Sequence, residues 1–129
     1  MKTEKIKEKY LHYGLEKDDI FKHQHYVIIT RSGIEKIAAL ENILINYEVI
    51  KCEKDFCVVK AQAYKGEAII QTFGSALKGD FKSGTTNSWY VMEMAEKRAM
   101  SRAVLKLTGF YELGVFGEDE AEDFKKSNN

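Results

Sequence analysis

Two hydrophobic periods follow one another in this chain, and together they restrict its fold more than any other feature. From Tyr47 to Phe73 apolar residues alternate with polar ones, the period of a strand. From Ser88 to Leu107 the residues Met92, Ala95, Ala99, Ala103 and Leu107 recur at steps of three and four, the period of a helix. The first stretch predicts three strands, at residues 47–52, 56–64 and 68–73. Lys54-Asp55 and Lys65-Gly66 stand at the two reversals, where short polar or Gly-containing loops suit hairpins. On the middle strand Cys57, Val59, Ala61 and Ala63 share one face, all small and apolar. A helix with a line of alanines can approach such a face closely. The other face, Phe56, Val58, Lys60, Gln62 and Tyr64, is mixed, suited to solvent or to a ligand.

Before the meander, residues 26–30 are β-branched and aromatic and read as a short strand. Ser32-Gly33-Ile34-Glu35 fits a capping box with Ser32 as the N-cap. The helix it opens carries an apolar stripe from Ile34 through Leu44. Residues 3–13 are rich in Lys and Glu and form an N-terminal arm or weak helix. Residues 74–88 form a loop of Gly, Ser, Thr, Lys and Asn, of a length that is often functional. Gly109 closes the long helix. Three segments are therefore expected: an arm over 1–25, an α+β domain over 26–110 and an acidic tail over 111–129. With 44% hydrophobic residues a chain of 129 can build one core without staples. No run nears the roughly 20 apolar residues of a membrane span, and the charged N-terminus is followed by no apolar signal region. The expected location is the cytoplasm, with no membrane partner.

Catalytic and metal patterns are missing. His23-Gln24-His25 has no third ligand nearby and reads as a loop entering a strand. Gly79-Asp80-Phe81-Lys82-Ser83-Gly84 lacks the Gly-Lys-Ser/Thr end of a phosphate loop. No cofactor, metal or catalytic residue is expected, and the chain reads as no enzyme. Cys52 and Cys57 are five apart, which places them on opposite faces if both lie on strands and disfavours a local bridge. They read as reduced cysteines acting as small hydrophobes.

The charge is uneven. Lys+Arg and Asp+Glu are 20 each, but residues 111–129 hold six acids against Lys125 and Lys126. Subtracting these from the totals leaves 18 bases and 14 acids on residues 1–110, an excess of four. Lys60, Lys65, Lys78, Lys82, Lys97, Arg98, Arg102 and Lys106, against four acids, supply it. Arg98, Arg102 and Lys106 stand four apart on one helix stripe, beside the alanine line. Such side chains either point together into a groove or lie as a solvated edge with their stems over the core.

The segment Glu93-Met94-Ala95-Glu96-Lys97-Arg98-Ala99-Met100-Ser101-Arg102-Ala103-Val104 resembles the helix signature of the Rad52/Erf group of single-strand annealing proteins. Residues 29–38 resemble the segment opening that family's preceding helix, and Phe73-Gly74-Ser75-Ala76 its turn after the meander; the likeness spans about residues 26–110. The resemblance implies an α+β fold, a three-stranded antiparallel meander packed on a long C-terminal helix with a helix before it. It implies single-stranded DNA binding and annealing of complementary strands in recombination or repair, without nucleotide hydrolysis. It also implies a homo-oligomer, a bacterial or phage-infected host cell, and a recombinase or other replication protein as partner. Arg98 and Arg102 are the implied DNA contacts, with Lys106 one turn on; Lys60, Lys78 and Lys82 join them on charge. Tyr64, Phe81 and Tyr90 are candidates for base stacking. For Trp89 stacking and core packing both stand. The alternative function is a protein-interaction or inhibitor module of a mobile element that keeps the fold and has lost DNA binding.

Overall fold

The computed structural model describes residues 2–23, 26–79, 86 and 88–120. In chain order the elements are α1 (Lys2–His12), β1 (Ile20–His23), β2 (Tyr26–Ile29), α2 (Arg31–Leu40), β3 (Leu44–Cys52), β4 (Phe56–Lys65), β5 (Ala68–Leu77), α3 (Val91–Leu107) and β6 (Val115–Gly117). Single 3-10 turns occupy Lys17–Asp19, Tyr111–Leu113 and Glu118–Glu120. The described strands form two sheets, ordered β3-β4-β5 and β1-β2-β6.

The meander and the long helix lie where the two periods put them. Cys57, Val59, Ala61 and Ala63 of β4 are buried, and so are Ala95, Ala99 and Ala103 of α3. The closest approach falls on β5. A Cβ placed on Gly74 would lie 2.1 Å from the Ala95 carbonyl oxygen and 2.5 Å from the Ala99 nitrogen. The backbones of strand and helix therefore touch, and only glycine fits between them. Two residues earlier on β5, Thr72 Oγ1 donates to the Ala99 carbonyl at 2.6 Å. Small residues suggest turns, and on that ground Gly74, Ser75 and Ala76 are expected in a loop. Here they are small because the helix lies on them, and the strand continues to Leu77.

α3 serves both sheets. Its first half, with Val91 and Ala95, packs with Cys57, Val59 and Ala76 of the meander. Its second half, with Val104 and Leu105, joins Ile29, Ile34, Ile37, Phe110 and Val115 in a second core that Ile6 of α1 and Tyr13 just after it close. The helix starts at Val91 rather than Ser88, whose Oγ accepts the Tyr90 N–H instead. Gly109, with φ of 81°, follows its end as expected.

The smaller sheet draws on segments outside the expected 26–110 domain. β1 pairs antiparallel with β2, from Ile20 opposite Ile29 to His23 opposite Tyr26. β6 pairs parallel with the other edge of β2, Val27 opposite Val115 and Ile29 opposite Gly117. The arm and the first part of the tail are thus built into the fold. Three residues, Val115-Phe116-Gly117, are too few to show a period. Gln24, His25 and the tail from residue 121 onward lie outside the described residues, so the His23-Gln24-His25 reading is not placed.

Both ends of α2 differ from expectation. Thr30, not Ser32, is the N-cap, its side chain accepting the Gly33 N–H at 3.2 Å. Ser32 is engaged elsewhere: its Oγ donates to Asp19. At the other end Asn42 adopts φ of 54°, while the N–H groups of Asn42 and Ile43 bond back to the carbonyls of Ala39 and Ala38. This left-handed cap stops the helix four residues short of Leu44, which opens β3 with its side chain exposed. The apolar stripe runs on because the first residues of a strand continue it.

Asp19 ties the turn at Lys17–Asp19 to α2. Its carboxylate accepts from Lys36 Nζ at 2.7 Å, the Glu16 N–H at 2.9 Å and Ser32 Oγ at 2.9 Å, and its carbonyl accepts the Thr30 N–H. The bond from Lys36 above all, then the Glu16 N–H, holds the carboxyl below the usual aspartate range.

The two cysteines correct the parity argument. Alternation of faces applies along one strand, but Cys52 ends β3 and Cys57 lies in β4, and the hairpin places them opposite each other. Their sulfurs are 3.7 Å apart, both as free thiols.

Two measurements check these packing and ion-pair assignments. Gly74→Ala should destabilise the fold by about 1–3 kcal/mol or more in thermal or urea unfolding, because neither backbone can give way. Asp19→Asn should cost roughly 1–3 kcal/mol at neutral pH. Because the folded carboxyl titrates below its unfolded value, this stabilisation is complete above about pH 4. It fades as pH falls through the depressed folded value, so the gap between variant and parent should close in acid.

Candidate nucleic-acid interface

The basic stripe of α3 divides into three different environments. Arg98 is 2% exposed. Its Nη1 donates to the Ser75 carbonyl at 2.8 Å and its Nε to the Asp119 carbonyl at 3.0 Å. Arg102, half-exposed, donates from Nη1 to the Phe73 carbonyl at 2.8 Å. Lys106 is exposed, its ammonium 5.4 Å from the centre of the Tyr111 ring. The expectation that Arg98 reaches DNA is therefore corrected: its guanidinium is enclosed between β5 and the turn at Glu118–Glu120.

The arginine spacing has a structural cause. Among the described strands β5 lies at the edge of its sheet, so its outer carbonyls have no described strand beside them to bond. Those of Phe73, Ser75 and Leu77 are instead met by Arg102, Arg98 and the Thr86 N–H. Four helical residues advance about 6 Å and two strand residues about 6.8 Å. Arginines four apart on an antiparallel helix thus match alternate carbonyls of the strand. The same turn is fixed at two further points, Ser101 Oγ donating to Asp119 Oδ2 at 2.9 Å and the Arg31 N–H to Glu118 Oε1 at 2.7 Å. Burial pushes the Asp119 carboxyl above its ordinary range. Among the described residues no buried side-chain nitrogen or oxygen lacks a partner.

Basic and aromatic groups gather instead at the end of the meander where the β3–β4 hairpin, the end of β5 and the start of α3 meet. Trp89 is 59% exposed, which answers the choice between core and surface. The ammonium of Lys78 lies 4.6 Å from its ring centre and that of Lys54 lies 5.5 Å away. Tyr90 is exposed beside it. The backbone fixes this grouping, since the Lys78 N–H donates to the Asp55 carbonyl at 2.7 Å and so joins the end of β5 to the hairpin tip. Lys51 adds a further cation, 5.6 Å from the Phe56 ring. In the sequence Lys54 is marked only as a turn residue. Its role is not visible there because nothing local relates residue 54 to residue 89.

The remaining candidates are dispersed. Lys60 and Tyr64 lie on the open face of β4, away from α3. Lys60 pairs with Glu48 at 3.8 Å, and Tyr64 stands between Leu44 and Ile69 of the flanking strands. Eight strand residues separate Tyr64 from Phe56, about 26 Å, so Tyr64 and Trp89 belong to opposite ends of the sheet. Phe81 and Lys82 lie outside the described residues. The open face also exposes Leu44, Ile69 and Phe73. Among the described residues no group of three His, Cys, Asp or Glu is placed to hold a metal ion, and no helix is long and apolar enough to cross a membrane.

No protein-family model, curated protein or solved structure matches this chain. The structure by itself defines an α+β protein in which one long helix packs on two small sheets.

Arg98→Ala should behave as a folding variant. Removing a buried guanidinium that holds two carbonyls should cost roughly 2–4 kcal/mol in urea unfolding, against about 1 kcal/mol for Arg102→Ala at its more open site.

Proposed function

We propose that this protein binds single-stranded DNA and anneals complementary strands in recombination or repair, without nucleotide hydrolysis. The observation that carries the reading is Trp89, an exposed indole with the ammonium groups of Lys54 and Lys78 beside it. An exposed aromatic ring with cations beside it suits a single strand: a base stacks on the ring and adjacent phosphates meet the lysines. Holding a strand in this way needs no catalytic group. The likeness of residues 93–104 to the Rad52/Erf helix signature supports the same reading, as does the sequence of meander and long helix. A Rad52-like core, a homo-oligomer and a recombinase or replication partner in a bacterial or phage-infected cell belong to this proposal.

A second reading has an observation of its own. The open face of the meander exposes Leu44, Ile69 and Phe73 at 71%, 59% and 50%. Apolar side chains gathered on one uncovered sheet face suit a protein partner, as an interaction or inhibitor module would require.

Fluorescence anisotropy with labelled single- and double-stranded oligonucleotides, paired with an annealing assay, separates the two. Trp89→Ala should weaken single-strand binding by about 1–3 kcal/mol, roughly 5- to 150-fold. Lys54→Ala/Lys78→Ala should flatten the dependence of log affinity on log salt by about 0.7 for each phosphate that a lysine no longer neutralises. Absence of any single-strand preference at low salt would overturn the annealing reading. Capture of one defined protein without DNA affinity would favour the second.

A further inference from the structure

We infer that Cys52 and Cys57 are a redox-active dithiol, a site of reversible disulfide formation that locks the turn end of the β3–β4 hairpin. The pair is directly opposed in the strand register, and the two sulfurs lie 3.7 Å apart. The next pair toward the tip is closed by the Glu53 N–H donating to the Phe56 carbonyl at 2.8 Å. In the alternation of an antiparallel ladder this makes Cys52 and Cys57 a non-hydrogen-bonded pair, with α-carbons about 4.5 Å apart. That separation is within the range a disulfide spans, so closure requires side-chain rotation and little backbone movement.

The two thiols are unequally placed, as successive steps of an exchange require. Cys52 is exposed, whereas Cys57 is 1% exposed and packs with Val59, Ala76, Val91 and Ala95. Burial, and then the neighbouring Cys52 sulfur, push the Cys57 thiol up, which leaves the exposed Cys52 as the thiol that a small disulfide meets first. The oxidant is a low-molecular-weight disulfide. The Cys52 thiolate attacks one of its sulfurs, forming a mixed disulfide and releasing one thiolate. Cys57 then gives up its proton and attacks Cys52 Sγ, and a second thiolate leaves. Two protein thiols have lost two electrons, and the small disulfide has become two thiols, which take up the two protons. A small dithiol reverses both steps. The hairpin so locked carries Lys54 and Asp55, so the bridge bears on the segment beside Trp89. The chemistry of the thiols does not depend on what that segment binds.

The full-length protein is incubated with glutathione disulfide, quenched with iodoacetamide and measured by intact mass. The expected product is a monomer short of two hydrogens that takes up no alkyl group, and dithiothreitol should restore two alkylatable thiols. Trypsin cleaves after Lys51, Lys54 and Lys60, so the oxidised protein should yield residues 52–54 and 55–60 as one linked species. Reduction should separate them. Cys57→Ser should stop at a stable glutathione adduct on Cys52, and Cys52→Ser should leave Cys57 unreacted while the chain is folded. Two thiols still alkylatable after prolonged oxidation would overturn the inference. So would a wild-type product that is only a Cys52 adduct, or a covalent dimer through Cys52.

Discussion

The contact on which the structure depends is the one between Gly74 and the turn of α3 at Ala95 and Ala99, where strand and helix backbones touch. A side chain there would lift the helix from the sheet. With the helix seated, its first half covers the meander while its second half remains available to the core of α1, α2 and the smaller sheet. One close approach thus permits a single helix to join two sheets. It also lets Thr72 reach the Ala99 carbonyl and brings both arginines within reach of the strand edge.

That second consequence alters the meaning of the basic stripe. Arginines in a row on a helix suggest an anion-binding surface, and charge counting alone cannot distinguish this from other uses. Here Arg98 and Arg102 meet carbonyls that an edge strand leaves without partners. Covering an edge in this way also prevents another strand from adding to it. The turn at Glu118–Glu120 completes the enclosure of Arg98 and satisfies the N–H of the first residue of α2. Glu118 and Asp119 of the tail therefore act as local structural partners, each engaged by a specific donor.

Much of the architecture is legible in the sequence because it follows from periodicity. The meander, the small face of β4, the alanine line of α3 and the stop at Gly109 all depend on residues near one another in the chain. Features set by contacts between distant segments mislead a reading of the sequence. Gly74-Ser75-Ala76 resembles a loop, Leu44 seems to extend a helix, and counting through a reversal assigns Cys52 and Cys57 to opposite faces. β6 is three residues long and owes its existence to the free edge of β2. In the candidate interface, Lys78 and Tyr90 are identifiable from their types, whereas Lys54 is not, since its place beside Trp89 comes from the hairpin folding toward the start of α3.

The sequence by itself determined the course of the meander and of the long helix, and which of their faces are small enough to meet. Those properties reside in the spacing of side chains along a few turns or a few pleats. Only the tertiary structure decided which charged and polar groups are available to a ligand. Arg98 and Trp89 show the division: the arginine of the motif is enclosed and the tryptophan beside the apolar stripe is open. Their exposure depends on what the edge of β5, the turn at Glu118–Glu120 and the β3–β4 hairpin place next to them, and all of those neighbours are distant in the chain.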